Sequence, residues 1–287
     1  MSSKRRAADD AEGTLVLIGG ASHPAGDALR TFLDLSRARD GASVVGLTTA
    51  SSDAERAAER WSADFARAGA TNVEFPIVDR RGHAQDPRTA QLIRDASGIF
   101  LGGGDQVHLM AVLAGSLVGR ALRDAFARGA VIAGTSAGAA ALSEMMLAGG
   151  ERRADGTRIP RHLAPGLGLL RFSTVVDTHF AQRGRLQRLF RCVAENPELL
   201  GLGIDENTAL TVCGPLATVV GPGGVTYVDG RNVQFDNIED VMTRGAPLTL
   251  SHLRVGVVGA GYTFNLRERE LEVVLQATRP PNRGPAL

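Results

Sequence analysis

Activating a hydroxyl against a carbonyl carbon takes a serine, a base and an acid, and this chain carries candidates for each. The serine is Ser136, in Gly134-Thr-Ser-Ala-Gly138, which follows the apolar run Ala130-Val-Ile-Ala133 and precedes Ala139-Ala-Ala-Leu142. Small residues on both sides permit a sharp strand-to-helix turn that pushes one hydroxyl out past the sheet edge, with a backbone N–H beside it. The amino end of the following helix favours a developing oxyanion. A serine hydroxyl is a weak nucleophile until a base takes its proton, and the base needs an orienting acid.

Six histidines could supply the base. His179 is favoured because Asp177-Thr-His-Phe180 ends a short predicted strand at 173–176 and delivers the ring to the same sheet edge. His23, His83 and His162 sit in predicted loops, and His252 follows a turn. His108, in the first turn of a predicted helix, suits packing or substrate contact. For the acid, Gly203-Ile-Asp-Glu-Asn207 offers Glu206 and Asp205, which point opposite ways in an extended segment. Spacing alone does not choose between them. Gly102-Gly-Gly-Asp-Gln106 has two readings. It is a loop that needs positive φ, or a place where the N–H groups of Gly103 and Gly104, with that of Ala137, meet a substrate oxygen. A nucleotide-phosphate loop is disfavoured, since no G-x-G-x-x-G and no Lys-Ser/Thr follows. Gly19-Gly-Ala-Ser22 has the same weakness and reads as wall.

The elements that must position these groups alternate. Strands are predicted at 14–18, 44–49, 72–78, 98–101 and 130–133. Helices are predicted at 27–39, 53–68, from Asp86-Pro87 onward, and at 109–128. Such alternation predicts an α/β fold: a mostly parallel sheet with helices on both faces. Ligands gather at the carboxyl ends of such strands, where Gly102–Gln106 and Gly134–Gly138 both fall. Residues 148–165, rich in Gly, Arg and Pro, read as a long surface loop or lid. A helix studded with arginine is predicted at 182–195, then strand, turn, strand over 201–212, and a C-terminal antiparallel extension to about 274. One domain over 13–275 with disordered tails at 1–12 and 276–287 is expected.

The totals exclude several classes. The 287 residues carry 32 basic and 31 acidic side chains, net +1, which argues against nucleic acid or a membrane surface as partner. The two cysteines, Cys192 and Cys213, form no C-x-x-C pair and read as reduced core residues. No run has the length of a membrane span. The start, Met1-Ser-Ser-Lys-Arg-Arg, lacks the hydrophobic region of a secretory signal, so a cytoplasmic home is expected.

Four motifs in order, Gly102-Gly-Gly-Asp-Gln106, Gly134-Thr-Ser-Ala-Gly-Ala139, Asp177-Thr-His-Phe180 with Arg183-Gly-Arg185-Leu-Gln-Arg188, and Gly203-Ile-Asp-Glu-Asn-Thr-Ala209, resemble the cyanophycinases of peptidase family S51, which also includes aspartyl dipeptidase. The resemblance spans about 13–269. It implies a class I glutamine amidotransferase-like fold, a Ser136–His179–Glu206 triad, no cofactor or metal, and a homodimer. The implied substrate is cyanophycin, a poly-aspartate with arginine joined to each side-chain carboxyl, and the implied product is the β-Asp-Arg dipeptide. The oxyanion would be held by Gly103, Gly104 and Ala137. Asp105, Gln106, Asp177, Thr178, Arg183, Arg185 and Arg188 would bind substrate. Arginine forks suit carboxylates, and Asp177 would suit a guanidinium. One departure is visible: the family carries Gln where this chain has Thr178. Rival readings are a dipeptidase acting on short aspartyl peptides and a binding protein without turnover.

Overall fold

Leu15-Val-Leu-Ile18 is apolar at four consecutive positions, so a strand built from it is stable only where both faces are covered. The computed structural model describes residues 12–21, 23–148, 151–152, 158–159 and 162–272. In it β1 (Leu15–Ile18) is wholly buried inside a nine-stranded sheet. The chain continues through α1 (Asp27–Leu35), β2 (Val44–Leu47), α2 (Ala54–Arg67), β3 (Val73–Glu74), α3 (Pro87–Asp95), β4 (Gly98–Leu101), α4 (Gln106–Leu113), α5 (Leu117–Ala127), β5 (Val131–Thr135) and α6 (Ala137–Leu142). Strands β3, β2, β4, β5 and β1 lie side by side and parallel. Alternate residues divide the core. Val16 and Ile18 pack with Phe32 of α1 and Phe65 of α2 on one face. Leu15 and Leu17 belong to the larger cluster with Ile93, Leu109 and Leu122 on the other.

The second half begins with β6 (Ser143–Ala148), β7 (His162–Pro165), β8 (Leu170–Thr178), α7 (Leu186–Glu195) and β9 (Leu200–Ile204). It goes on through β10 (Ala209–Cys213), β11 (Leu216–Val220), β12 (Val225–Asp229), α8 (Ile238–Arg244), β13 (Arg254–Val258), β14 (Thr263–Asn265) and β15 (Glu270–Glu272). The expected antiparallel extension is present, as β10, β11, β14 and β15 continue the first sheet beyond β1. The rest forms a second, six-stranded sheet in the order β13-β12-β9-β8-β6-β7, with β6, β8 and β9 parallel. The turn between β9 and β10 therefore passes from one sheet to the other.

Local boundaries differ from the sequence reading for identifiable reasons. The strand expected at 72–78 stops at Glu74, because Pro76 has no N–H for a ladder and the Phe75 ring turns onto Gly46. The helix expected at 109–128 begins earlier, at Gln106, and is two helices. Gly115 at φ +68 ends α4, and Ser116 caps α5 by accepting from the Gly119 N–H. The arginine-rich helix starts at Leu186, so Arg183 and Arg185 precede it on a turn. Of the expected loop at 148–165, the ends pair as strands, Ala148 opposite His162. Residues 149–150, 153–157 and 160–161, like the expected tails apart from Glu12, lie outside the described residues.

Candidate active site

The serine, the base and the acid meet where β1, β5, β8 and β9 end. Ser136 follows β5 at φ 52, ψ −115, a conformation rare outside glycine, and it is held by its own N–H donating to Ile18 O at 2.9 Å. Small neighbours make the bend possible. A Cβ on Gly138 would sit 2.2 Å from Leu101 O, so the helix behind the serine rests directly on β4. His179 comes one residue after β8, also at positive φ (50), with its N–H donating to Gly19 O at 2.7 Å. Its Nε2 lies 2.9 Å from Ser136 Oγ and its Nδ1 2.6 Å from Glu206 Oε1. Glu206 is thus the acid beside the ring. Asp205 turns away and accepts from the N–H groups of Ala181 and Gly224, each at 3.0 Å.

A cleft of about 340 Å³ opens in front of Ser136, lined on one side by Gly104 and Gln106 and on the other by Thr178 and three arginines. Gly103 packs against the serine, where an added Cβ would be 3.8 Å from Oγ. Among the described residues the N–H groups of Gly103, Gly104 and Ala137 donate to no acceptor, and Gly104 and Ala137 line the cleft. Asp105 spends Oδ1 on capping α4, accepting from the Val107 N–H at 2.8 Å. Gln106 donates Nε2 to Leu147 O at 2.8 Å and keeps its carbonyl oxygen unused.

Residues 15–220 match the model of peptidase family S51. The chain belongs to peptidase family S51. Cyanophycinases from Synechococcus elongatus and Trichormus variabilis are similar to it, at 34% identity over 91% of this chain and 81% of that protein, and 35% over 89% and 86%. Another from Geminocystis herdmanii is 31% identical over 90% of this chain and 95% of its own. A solved peptidase from an acI-B1 Actinobacterium shares the fold with a TM-score of 0.67, at 21% identity, covering 91% of this chain and 99% of that one. This S51 peptidase has the class I glutamine amidotransferase-like architecture that the motifs implied. Among its described residues no helix is long and apolar enough to cross a membrane, and no cluster of three or more His, Cys, Asp or Glu is placed to hold a metal.

The charged lining of the S51 cleft is Arg183, Arg185 and Arg188 with Asp105 and Asp177. Asp177, 2% exposed, is held by Arg185 at 3.1 Å and on both oxygens by Arg188. Its carboxylate is therefore taken up internally, whereas the sequence reading offered it to a substrate guanidinium. Arg185 also donates to Thr178 O at 2.6 Å; burial, helped by the like charges of Arg188 and Arg183 and opposed by the Asp177 carboxylate, lowers its pKa to about 10, still protonated near neutrality. Arg183 is exposed and, among the described residues, has no side-chain partner. Thr178 lines the cleft. The remaining histidines lie elsewhere. His108 Nε2 contacts Asp79 O at 3.1 Å and His83 pairs with the Asp79 carboxylate at 2.8 Å.

Burial lowers the His179 pKa below its ordinary 6.5; the Glu206 hydrogen bond pulls the other way, and Arg183 and Arg185 push further down. A base must be neutral to accept a proton, and a lowered pKa keeps it neutral to more acidic pH. The acid limb of kcat/KM should therefore fall below pH 6.5 and not above it, which a pH–rate profile checks. Gly19-Gly20, a wall by sequence, has a task in the structure. Gly20 sits at φ +104, and a Cβ there would lie 2.2 Å from His179 Cε1 and 2.4 Å from Nε2. Gly20→Ala should displace the ring and lower kcat by on the order of 10²-fold, as a misplacement of about 1 Å can. Steady-state kinetics with a thermal unfolding control reads this. Gln182, outside every motif, accepts at its side-chain carbonyl from the Glu206 N–H at 3.0 Å across 24 residues. No local pattern marks such a partner.

Proposed function

We propose that this S51 peptidase is a serine peptidase that degrades cyanophycin to β-Asp-Arg dipeptides. The supporting observation is the Ser136 Oγ, His179 Nε2 and Nδ1, Glu206 Oε1 chain at the floor of an arginine-lined cleft. Cyanophycinases among its relatives supply the substrate class. In this reading Ser136 attacks the backbone carbonyl of an aspartyl unit as His179 Nε2 takes the hydroxyl proton. Glu206 steadies the imidazolium, and the N–H groups of Gly103, Gly104 and Ala137 receive the oxyanion. The protonated His179 then gives its proton to the leaving amine, and water hydrolyses the acyl-enzyme by the same relay. Each unit of the polymer presents one carboxylate and one guanidinium, and the Arg183 guanidinium and the unused N–H donors of Arg185 and Arg188 would bind the carboxylate. Asp105, Gln106, Asp177 and Thr178 would complete that wall, with Asp177 acting by holding the two arginines. The family resemblance also carries a homodimer into this reading.

Thr178 supports a second reading, hydrolysis of short aspartyl peptides, because a short hydroxyl stands where related cyanophycinases carry a carboxamide. Incubation with insoluble cyanophycin and with small aspartyl dipeptides, followed by mass analysis, separates the two. A single β-Asp-Arg species from the polymer is the expected result. Consumption of the dipeptides alone overturns the polymer reading.

A further inference from the structure

Two loop segments carry the base and the acid, and they are tied to each other twice. Asp205 Oδ1 accepts from the Ala181 N–H at 3.0 Å, two residues beyond His179. In return, Gln182 Oε1 accepts from the Glu206 N–H at 3.0 Å. In the first bond a backbone N–H of the base's segment donates to a side chain of the acid's segment, and in the second the roles are exchanged. Asp205 is itself anchored, because Oδ2 accepts from the Gly224 N–H at 3.0 Å. The backbone adds Phe180 N–H to Ile204 O at 3.2 Å, the last rung between β8 and β9. Beyond that rung the chains diverge, β9 crossing toward the first sheet, and side chains take over the ladder's task.

We infer that Gln182 and Asp205 form a reciprocal clamp that sets the separation of His179 and Glu206, which makes Gln182 a positioning residue of this peptidase. The inference rests on the hydrolytic role proposed for Ser136, His179 and Glu206. Gln182 is exposed, and its side-chain carbonyl is the group that accepts from the Glu206 N–H. A 2.6 Å bond from a carboxylate to a ring nitrogen is short, and it weakens steeply if the acid's backbone drifts. The charged groups around the imidazole are Glu206 from one turn and Arg183 and Arg185 from the other; Gly20, on the β1 side, brings none. Glu206 is the group that raises the ring's proton affinity. Loosening it leaves burial and two guanidinia to act alone, so the ring should titrate at lower pH.

The test compares wild type with Gln182→Met, which keeps length but loses the acceptor, and Gln182→Glu, which keeps an acceptor oxygen. Two readouts are taken on each: the rate of Ser136 phosphonylation by a fluorophosphonate, and the NMR titration of the His179 ring. The expected result for Gln182→Met is labelling slowed about 10-fold or more, toward the roughly 10²-fold that a misplacement of about 1 Å can cost. Its His179 midpoint should move to lower pH with thermal stability little changed. Gln182→Glu should recover most of the labelling rate without that downward shift. A His179 titration in Gln182→Met identical to wild type overturns the clamp, as does Gln182→Glu behaving like Gln182→Met in both readouts. Wild type that resists the fluorophosphonate would count against Ser136 as nucleophile, and the titration would still judge the clamp.

Discussion

Ser136→Ala should lower kcat by on the order of 10⁴- to 10⁶-fold, the scale seen when a hydroxyl nucleophile is removed from a working relay. The loss should fall on kcat, because Arg183, Arg185 and Arg188 still line the cleft and, in the proposed reading, would still bind substrate. A companion variant separates chemistry from folding. Ser136 is held at φ 52, ψ −115, where a Cβ is disfavoured and glycine is at ease. Relieving strain of this kind is worth roughly 1 kcal/mol or more. Ser136→Gly should therefore be as inactive as Ser136→Ala yet unfold at a higher temperature. Ser136→Ala that hydrolyses at the wild-type rate would remove the serine mechanism altogether.

Glu206→Gln has the next largest expected effect, a fall in kcat of about 10⁴-fold, as when a triad carboxylate becomes an amide. Glu206 accepts from His179 Nδ1, which leaves Nε2 bare toward the Ser136 hydroxyl. An amide can instead donate to Nδ1, which puts the ring proton on Nε2 and removes its capacity to accept. It also takes away the charge that steadies the imidazolium. Asp205→Asn is the comparison, because Asp205 acts on the ring only through the clamp, by its bonds to Ala181 and Gly224, and does not touch the ring itself. Its loss should be far smaller, and it can be read in the same kinetic series. Equal losses in the two variants would mean that the acid has been misassigned.

Some of this protein was determined by local sequence. Four apolar residues before Gly134-Thr-Ser-Ala-Gly138 can only enter a buried strand, and only small side chains allow the bend that follows. The elbow was therefore legible without coordinates. The parallel half of the first sheet was legible for the same reason, since strand and helix periods alternate there. The tertiary structure decided what depends on distant partners. Glu206 and not Asp205 meets His179 because the 205–208 turn crosses between two sheets, and the existence of the second sheet was not written in any local pattern. Asp177 is taken up by Arg185 and Arg188 because a buried carboxylate needs counter-charge, which α7 and the turn before it supply once packed. The room for the imidazole comes from Gly20, which lies more than 150 positions earlier in the chain, as the numbering gives. Residue types are set by the sequence, but contacts at such separations are set by which strands pair, and pairing is a property of the whole sheet.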